Sequence, residues 1–275
     1  MDRGTAQAPR NTGAGVWLRR YHDSASAPVR LVCFPFAGGS ASYWFGLSGL
    51  LSPGIDVLAV QYPGRQDRHK EPALESVAAL ADGVVEQLPS DGKPFALFGH
   101  SLGAIVAFEV ARRLRDSGPA GSGPAGSGAG AATGPGRPVH LFASGGLARP
   151  YRPAGRSGSL DDADILAHLR AMGGTDERFF GSPELQELIL PALRADYRAV
   201  ATYDAPGPER LDCPITALIG DADERTSPEE AGTWRERTGA AFDLRVLPGG
   251  HFYLDGCQEQ VAAIVTAALT GASGA

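Results

Sequence analysis

The chain has 275 residues, 43% of them hydrophobic, enough to bury a sizeable core and to exclude disorder of the whole chain. Its 25 basic and 31 acidic residues leave a formal charge of −6 with no basic block, which argues against a nucleic-acid partner. Three cysteines, Cys33, Cys213 and Cys257, form neither a CxxC pair nor an even disulfide framework, as expected of a reduced, cytoplasmic protein without structural zinc. Arg3 and Arg10 are followed by no apolar run that would make a signal peptide, and no stretch approaches the ~20 apolar residues of a membrane helix.

Taken in chain order, residues 31–34 and 56–60 read as short apolar strands, and 74–88 as a helix with apolar residues at helical spacing. A strand at 95–98 and a helix at 102–115 follow, then strands at 139–143, 215–219 and 242–247 and a closing helix at 259–269. The strands are mostly apolar on both faces, as in buried parallel sheets. This alternation predicts an α/β fold with a mostly parallel central sheet flanked by helices.

Two segments interrupt the alternation. In 117–138, Ser117-Gly118-Pro119-Ala120-Gly121 repeats as Ser122-Gly123-Pro124-Ala125-Gly126, small residues that can bury no face and predict a flexible surface loop. Gly121, Gly123 and Gly126 spell GxGxxG, but a dinucleotide site needs a strand entering that turn and a helix leaving it. Here a helix precedes and low-complexity sequence follows, so a nucleotide cofactor is not expected. Residues 147–203 contain no strand. A helix is predicted over 161–172, and Ser182, Pro183 and Glu184 begin a second one through Leu188, Leu193 and Tyr197, with a kink expected at Pro191. This pair could be extra core, but insertions of such length favour a lid over a site. The expected organisation is a single domain over 1–275, with its core at about 16–146 and 204–270. The lid occupies 147–203, and the termini, 1–15 and 271–275, are expected to be disordered.

Gly99-His100-Ser101-Leu102-Gly103 matches the nucleophile-elbow pattern GxSxG, which in so glycine-rich a chain is weak by itself. Its context strengthens it: a strand enters, a helix leaves, and Gly103, Ala104, Ala107 and Ala111 suit close packing of that helix on the sheet. A serine hydroxyl needs a base. Of six histidines, His22 and His69 precede the serine, His140 begins a strand, His168 lies in a predicted lid helix, and His100 would point elsewhere. His251 remains, in Leu247-Pro248-Gly249-Gly250-His251, just past the last strand. Asp221 and Asp223 both follow the strand at 215–219, where either could hold the imidazole; the spacing does not separate them. Oxyanion stabilisation needs two backbone N–H groups, one from Leu102 and the other from the loop Phe34-Pro35-Phe36-Ala37-Gly38-Gly39.

Phe34 to Ser40, Gln61 to Arg68 with its Pro63-Gly64-Arg65, Phe98 to Gly103, Leu190 to Asp196, Gly220 to Asp223 and Leu247 to Phe252 together resemble the stand-alone type II thioesterases of polyketide and nonribosomal peptide biosynthesis. The resemblance implies an α/β-hydrolase fold with a helical lid and a catalytic triad of Ser101, Asp223 and His251. It makes Asp223 the acid and gives the oxyanion donors to Ala37 and Leu102. It also implies hydrolysis of acyl thioesters on the phosphopantetheine arm of acyl or peptidyl carrier proteins, with no metal and no cofactor. The partners would be carrier proteins and synthase modules, approached by a cytoplasmic monomer. Arg170, Arg178, Arg194 and Arg198 are candidates for docking an acidic carrier protein. The segment 117–138 departs from the family by its length. The alternative with the same triad is a carboxylesterase or an acyltransferase; a catalytically dead docking protein is disfavoured by the complete triad.

Overall fold

A computed structural model describes residues 16–117, 135–147, 161–173, 177–204, 207 and 209–271. Most of the loop expected at 117–138, the termini expected to be disordered at 1–15 and 271–275 apart from Gly271, and positions 148–160 and 174–176 of the insertion lie outside the described residues.

A two-residue strand, β1 (Leu18–Arg19), precedes β2 (Arg30–Phe34), β3 (Asp56–Val60), β4 (Phe95–His100), β5 (His140–Ser144), β6 (Ile215–Gly220) and β7 (Phe242–Leu247). They form one sheet in the order β1-β3-β2-β4-β5-β6-β7, parallel throughout except for the β1–β3 pair. Every residue of β2 to β6 is buried. The β7 strand differs: as the outer edge it has no fully buried residue, so the expectation of apolar burial on both faces fails there.

The helices are α1 (Phe45–Leu51), α2 (Val77–Val85), α3 (Leu102–Ser117), α4 (Asp162–Met172), α5 (Glu177–Phe180), α6 (Pro183–Thr202), α7 (Pro228–Gly232) and α8 (Gln258–Thr270). Successive strand residues face opposite ways, which divides the core in two. Val32, Phe34 and Leu97 pack with Leu80, Val84, Val106 and Val110 of α2 and α3. Leu31, Cys33 and Phe98 pack on the other side with Leu47, Val261 and Val265 of α1 and α8. Ser76 caps α2 by accepting the Ala79 N–H at 3.2 Å, which starts this helix three residues later than its apolar spacing suggests.

Helices α4 to α6 are inserted between β5 and β6 and share an apolar cluster of their own: Ile165, Leu169, Phe179, Leu190 and Leu193. Asp161 caps α4 and Ser182 caps α6, whose first residue, Pro183, has no N–H to leave unsatisfied. Pro191 does not end α6, which continues to Thr202.

The strand order positions the site. From β2 the chain runs outward to β3 and then crosses back to β4 on the other side of β2. The loops leaving β2 and β4 therefore diverge and open a crevice at the carboxyl ends of these two strands. Ser101 and the glycine-rich loop 35–39 both lie at that point.

Candidate active site

Ser101 joins β4 to α3 with φ of +54°, one of two described non-glycine residues in the left-handed region. A strand can turn this abruptly into a helix only if its neighbours lack side chains. A Cβ on Gly99 would lie 2.0 Å from the Gly103 carbonyl oxygen, and one on Gly103 would lie 2.2 Å from that of Phe34. The outer glycines of the elbow are thus required by backbone packing. The Ser101 N–H donates to Ser144 O at 2.7 Å, fixing the turn to the end of β5. Leu102 is the first residue of α3, so its N–H is among those for which a helix offers no acceptor.

His251 lies just beyond β7 and is buried. Its Nδ1 is 2.9 Å from Asp223 Oδ2, and the Asp223 side chain is itself fully buried. With the Nδ1 proton directed at that carboxylate, the ring's lone pair lies on Nε2. Asp223 Oδ1 accepts the Arg225 N–H at 2.9 Å. Asp221 is exposed and points elsewhere, its Oδ1 accepting the Gly249 N–H at 2.9 Å. It therefore holds the histidine loop, while Asp223 holds the histidine. The two loops are pressed together: a Cβ on Gly220 would be 2.1 Å from Gly249 O. His251 reaches the elbow region, its ring centroid 5.1 Å from that of His100, while its Cε1 would be 3.3 Å from a Cβ on Gly145.

The other histidines are accounted for. His22 pairs with Ser48, His69 with the Gln66 carbonyl and His140 with Thr216. His100 is fully buried, with Nδ1 2.9 Å from Ser144 Oγ, which in turn lies 2.7 Å from the Tyr253 hydroxyl. Burial, and then the neighbouring His251, hold the His100 imidazole well below its usual range, so it stays neutral. His168 of α4 meets the Arg225 guanidinium two residues beyond Asp223. Burial first, then Arg225 and His251, push its pKa down to about 4. The inserted helices thus touch the loop that carries Asp223.

Ala37 lies in the loop after β2. The Gly39 N–H donates to Phe36 O at 2.9 Å, closing a turn around Ala37 and Gly38. Two residues with no sequence-assigned role secure this loop: Arg65, after β3, and Asp196, on α6. Both lie within the segments of family resemblance, but nothing local to either announces a partner so far along the chain. Of the arginines considered for docking, Arg194 pairs with Asp162 at 2.5 Å and Arg198 with Glu75 at 2.6 Å. Arg170 stacks over Phe180 at 4.3 Å, and Arg178 lies in α5. Among the described residues no group of His, Cys, Asp and Glu could hold a metal, and no helix is long and apolar enough to cross a membrane.

The Thioesterase domain family model matches residues 29–269. The chain is 46% identical over 250 residues to the thioesterase PikA5 of Streptomyces venezuelae, covering 90% of this chain and 83% of that protein. Among solved structures, the type II thioesterase BorB from the borrelidin biosynthetic cluster superposes with a TM-score of 0.76 at 38% identity, covering 94% of this chain and 98% of that one. The RedJ thioesterase from the prodiginine pathway of Streptomyces coelicolor gives 0.75 at 37% identity, covering 90% and 88%. The chain therefore belongs to the thioesterase domain family and, within it, to the type II thioesterases of polyketide and nonribosomal peptide clusters, thioester hydrolases with the α/β-hydrolase fold.

Proposed function

We propose that this thioesterase removes acyl groups from the phosphopantetheine arm of acyl or peptidyl carrier proteins through a triad of Ser101, His251 and Asp223. The observation that carries the reading is the buried Asp223–His251 pair, its imidazole 5.1 Å from the ring of His100, which immediately precedes a serine held at positive φ between β4 and α3. His251 Nε2 takes the Ser101 proton as Oγ attacks the thioester carbonyl. Asp223 holds the imidazolium that forms, and the Ala37 and Leu102 N–H groups receive the negative charge on the carbonyl oxygen. The imidazolium returns its proton to the departing pantetheine sulfur, leaving an acyl-serine. Water, deprotonated by His251, then attacks the ester; the free acid leaves and Ser101 regains its proton. The balance is thioester plus water to carboxylic acid plus thiol.

Helices α4 to α6 act in this reading as a lid at the mouth of the crevice, supported by the contact of His168 with Arg225 beside the acid. Three free, buried cysteines fit a protein working in the reducing cytoplasm. Turnover of one acyl group should be compared on carrier protein, on coenzyme A and as a p-nitrophenyl ester. The expected order of kcat/KM places the carrier protein first. Efficient cleavage of the simple ester with no turnover of the carrier-bound acyl group would replace this reading with a carboxylesterase.

A further inference from the structure

Asp196 lies on the part of α6 that enters the core, and neither of its carboxylate oxygens faces water. Oδ2 accepts the Gly38 N–H at 2.7 Å and Arg65 Nη1 at 2.8 Å, while Oδ1 accepts Arg65 Nη2 at 2.9 Å. Arg65, also buried, donates in addition from Nη1 to Gly39 O at 3.1 Å. Gln61, at the end of β3, completes the set: its Oε1 accepts the Ala41 N–H at 2.9 Å and its Nε2 donates to Arg65 O at 3.1 Å. The backbone at 38, 39 and 41 is thus tied at each position, directly after Ala37.

The turn they hold has a definite sense. The Phe36 carbonyl bonds inward to the Gly39 N–H, and Gly38 has φ of +79°, the value a type II turn requires at its third position. In a trans peptide the carbonyl and N–H point in opposite directions, so the Ala37 N–H is directed out of the turn. A type I turn with the same Phe36–Gly39 bond would flip only the Ala37–Gly38 peptide, so Asp196 holds the Gly38 N–H directly and, through it, the placement of the turn that carries the Ala37 N–H. Leu193, one turn before Asp196, packs on the same spot: a Cβ on Gly38 would lie 2.5 Å from its Cδ2. A buried ion pair is a poor device for stability alone, since an apolar pair of similar volume commonly does as well. Its particular capacity is direction.

We infer that Asp196 and Arg65 are positioning residues for the oxyanion site, clamping the turn after β2 so that the Ala37 N–H stays aimed at the reacting carbonyl oxygen. The inference rests on the reading of Ser101, His251 and Ala37 above. It makes the inserted helix α6 part of the catalytic apparatus as well as a cover for it.

The test uses Asp196→Asn and the double substitution Arg65→Met/Asp196→Leu, which replaces the buried pair with apolar side chains. Loss of a whole oxyanion donor costs ~10²–10³ in kcat, so a misaimed one should cost about 10–100-fold, with KM changed less than about threefold. Two substrate analogues separate aim from mere support. A trifluoromethyl ketone, which forms a hemiketal oxyanion on the serine, should lose affinity in step with kcat; a non-hydrolysable thioether should bind as before. Equal losses for both analogues, or kcat within about threefold of the parent in a folded variant, would overturn the inference. If the double variant does not fold, the nearly isosteric Asp196→Asn carries the same comparison. Ser101→Ala is run alongside: residual turnover there would refute the reading of the site itself, whereas an inactive Ser101→Ala beside a fully active Asp196→Asn would refute the clamp alone.

Discussion

Ser101→Ala should lower thioester turnover by about four orders of magnitude or more, with the fold intact. Alanine keeps the backbone shape of the elbow, because the turn is set by Gly99, Gly103 and the Ser101 N–H bond to Ser144, none of which involves the hydroxyl. What disappears is the only atom at this position that can form the acyl intermediate. Release of free thiol from an acyl-carrier protein, followed with a chromogenic disulfide, measures the loss; circular dichroism checks the fold. Hydrolysis persisting within about tenfold of the parent would mean that another nucleophile, or directly activated water, does the work.

The second large effect separates two aspartates on one loop. Asp223→Asn should reduce kcat by about 10³–10⁴-fold. Its Oδ2 is 2.9 Å from His251 Nδ1, and its side chain is fully buried. An amide group turned toward Nδ1 favours the tautomer with its proton on Nε2, and that ring cannot accept from serine. Asp221→Asn should cost less than about tenfold, because an amide oxygen can still accept the Gly249 N–H and hold the loop. Measuring kcat for both variants on the same carrier-bound substrate gives the ranking, and the reverse order would reassign the acid.

The sheet was readable from sequence because burial on both faces leaves runs that are almost entirely apolar, as in residues 31–34 and 95–98. Those runs end where backbone pairing does not: β4 continues through Gly99 and His100, which pair with Ala143 and Ser144. The β1 strand goes without a sequence signal because two residues carry no periodicity. The α1 helix did so because Gly46 and Gly49 break its apolar pattern, and Gly46 faces Gln258, a neighbour known only from the fold. Of the proposed triad, Ser101 and His251 follow from chain order and flanking glycines. Asp221 and Asp223 could not be told apart by residue reasoning, since both follow the same strand and differ in which way the loop aims them. The Arg65–Asp196 pair joins positions 131 residues apart, so no local window contains both.

The neutrality of His100 has a consequence for proton accounting. Its ring lies 5.1 Å from that of His251, where a second positive charge would oppose the imidazolium of the proposed acylation. Because burial keeps His100 unprotonated well below the ordinary histidine range, falling pH adds no charge at that ring. His100 should therefore contribute no proton to the acid limb of a kcat/KM profile, and a limb steepened by protonation of His100 would overturn this. An imidazole denied its proton leaves the proposed base, His251, to cycle without a competing charge beside it.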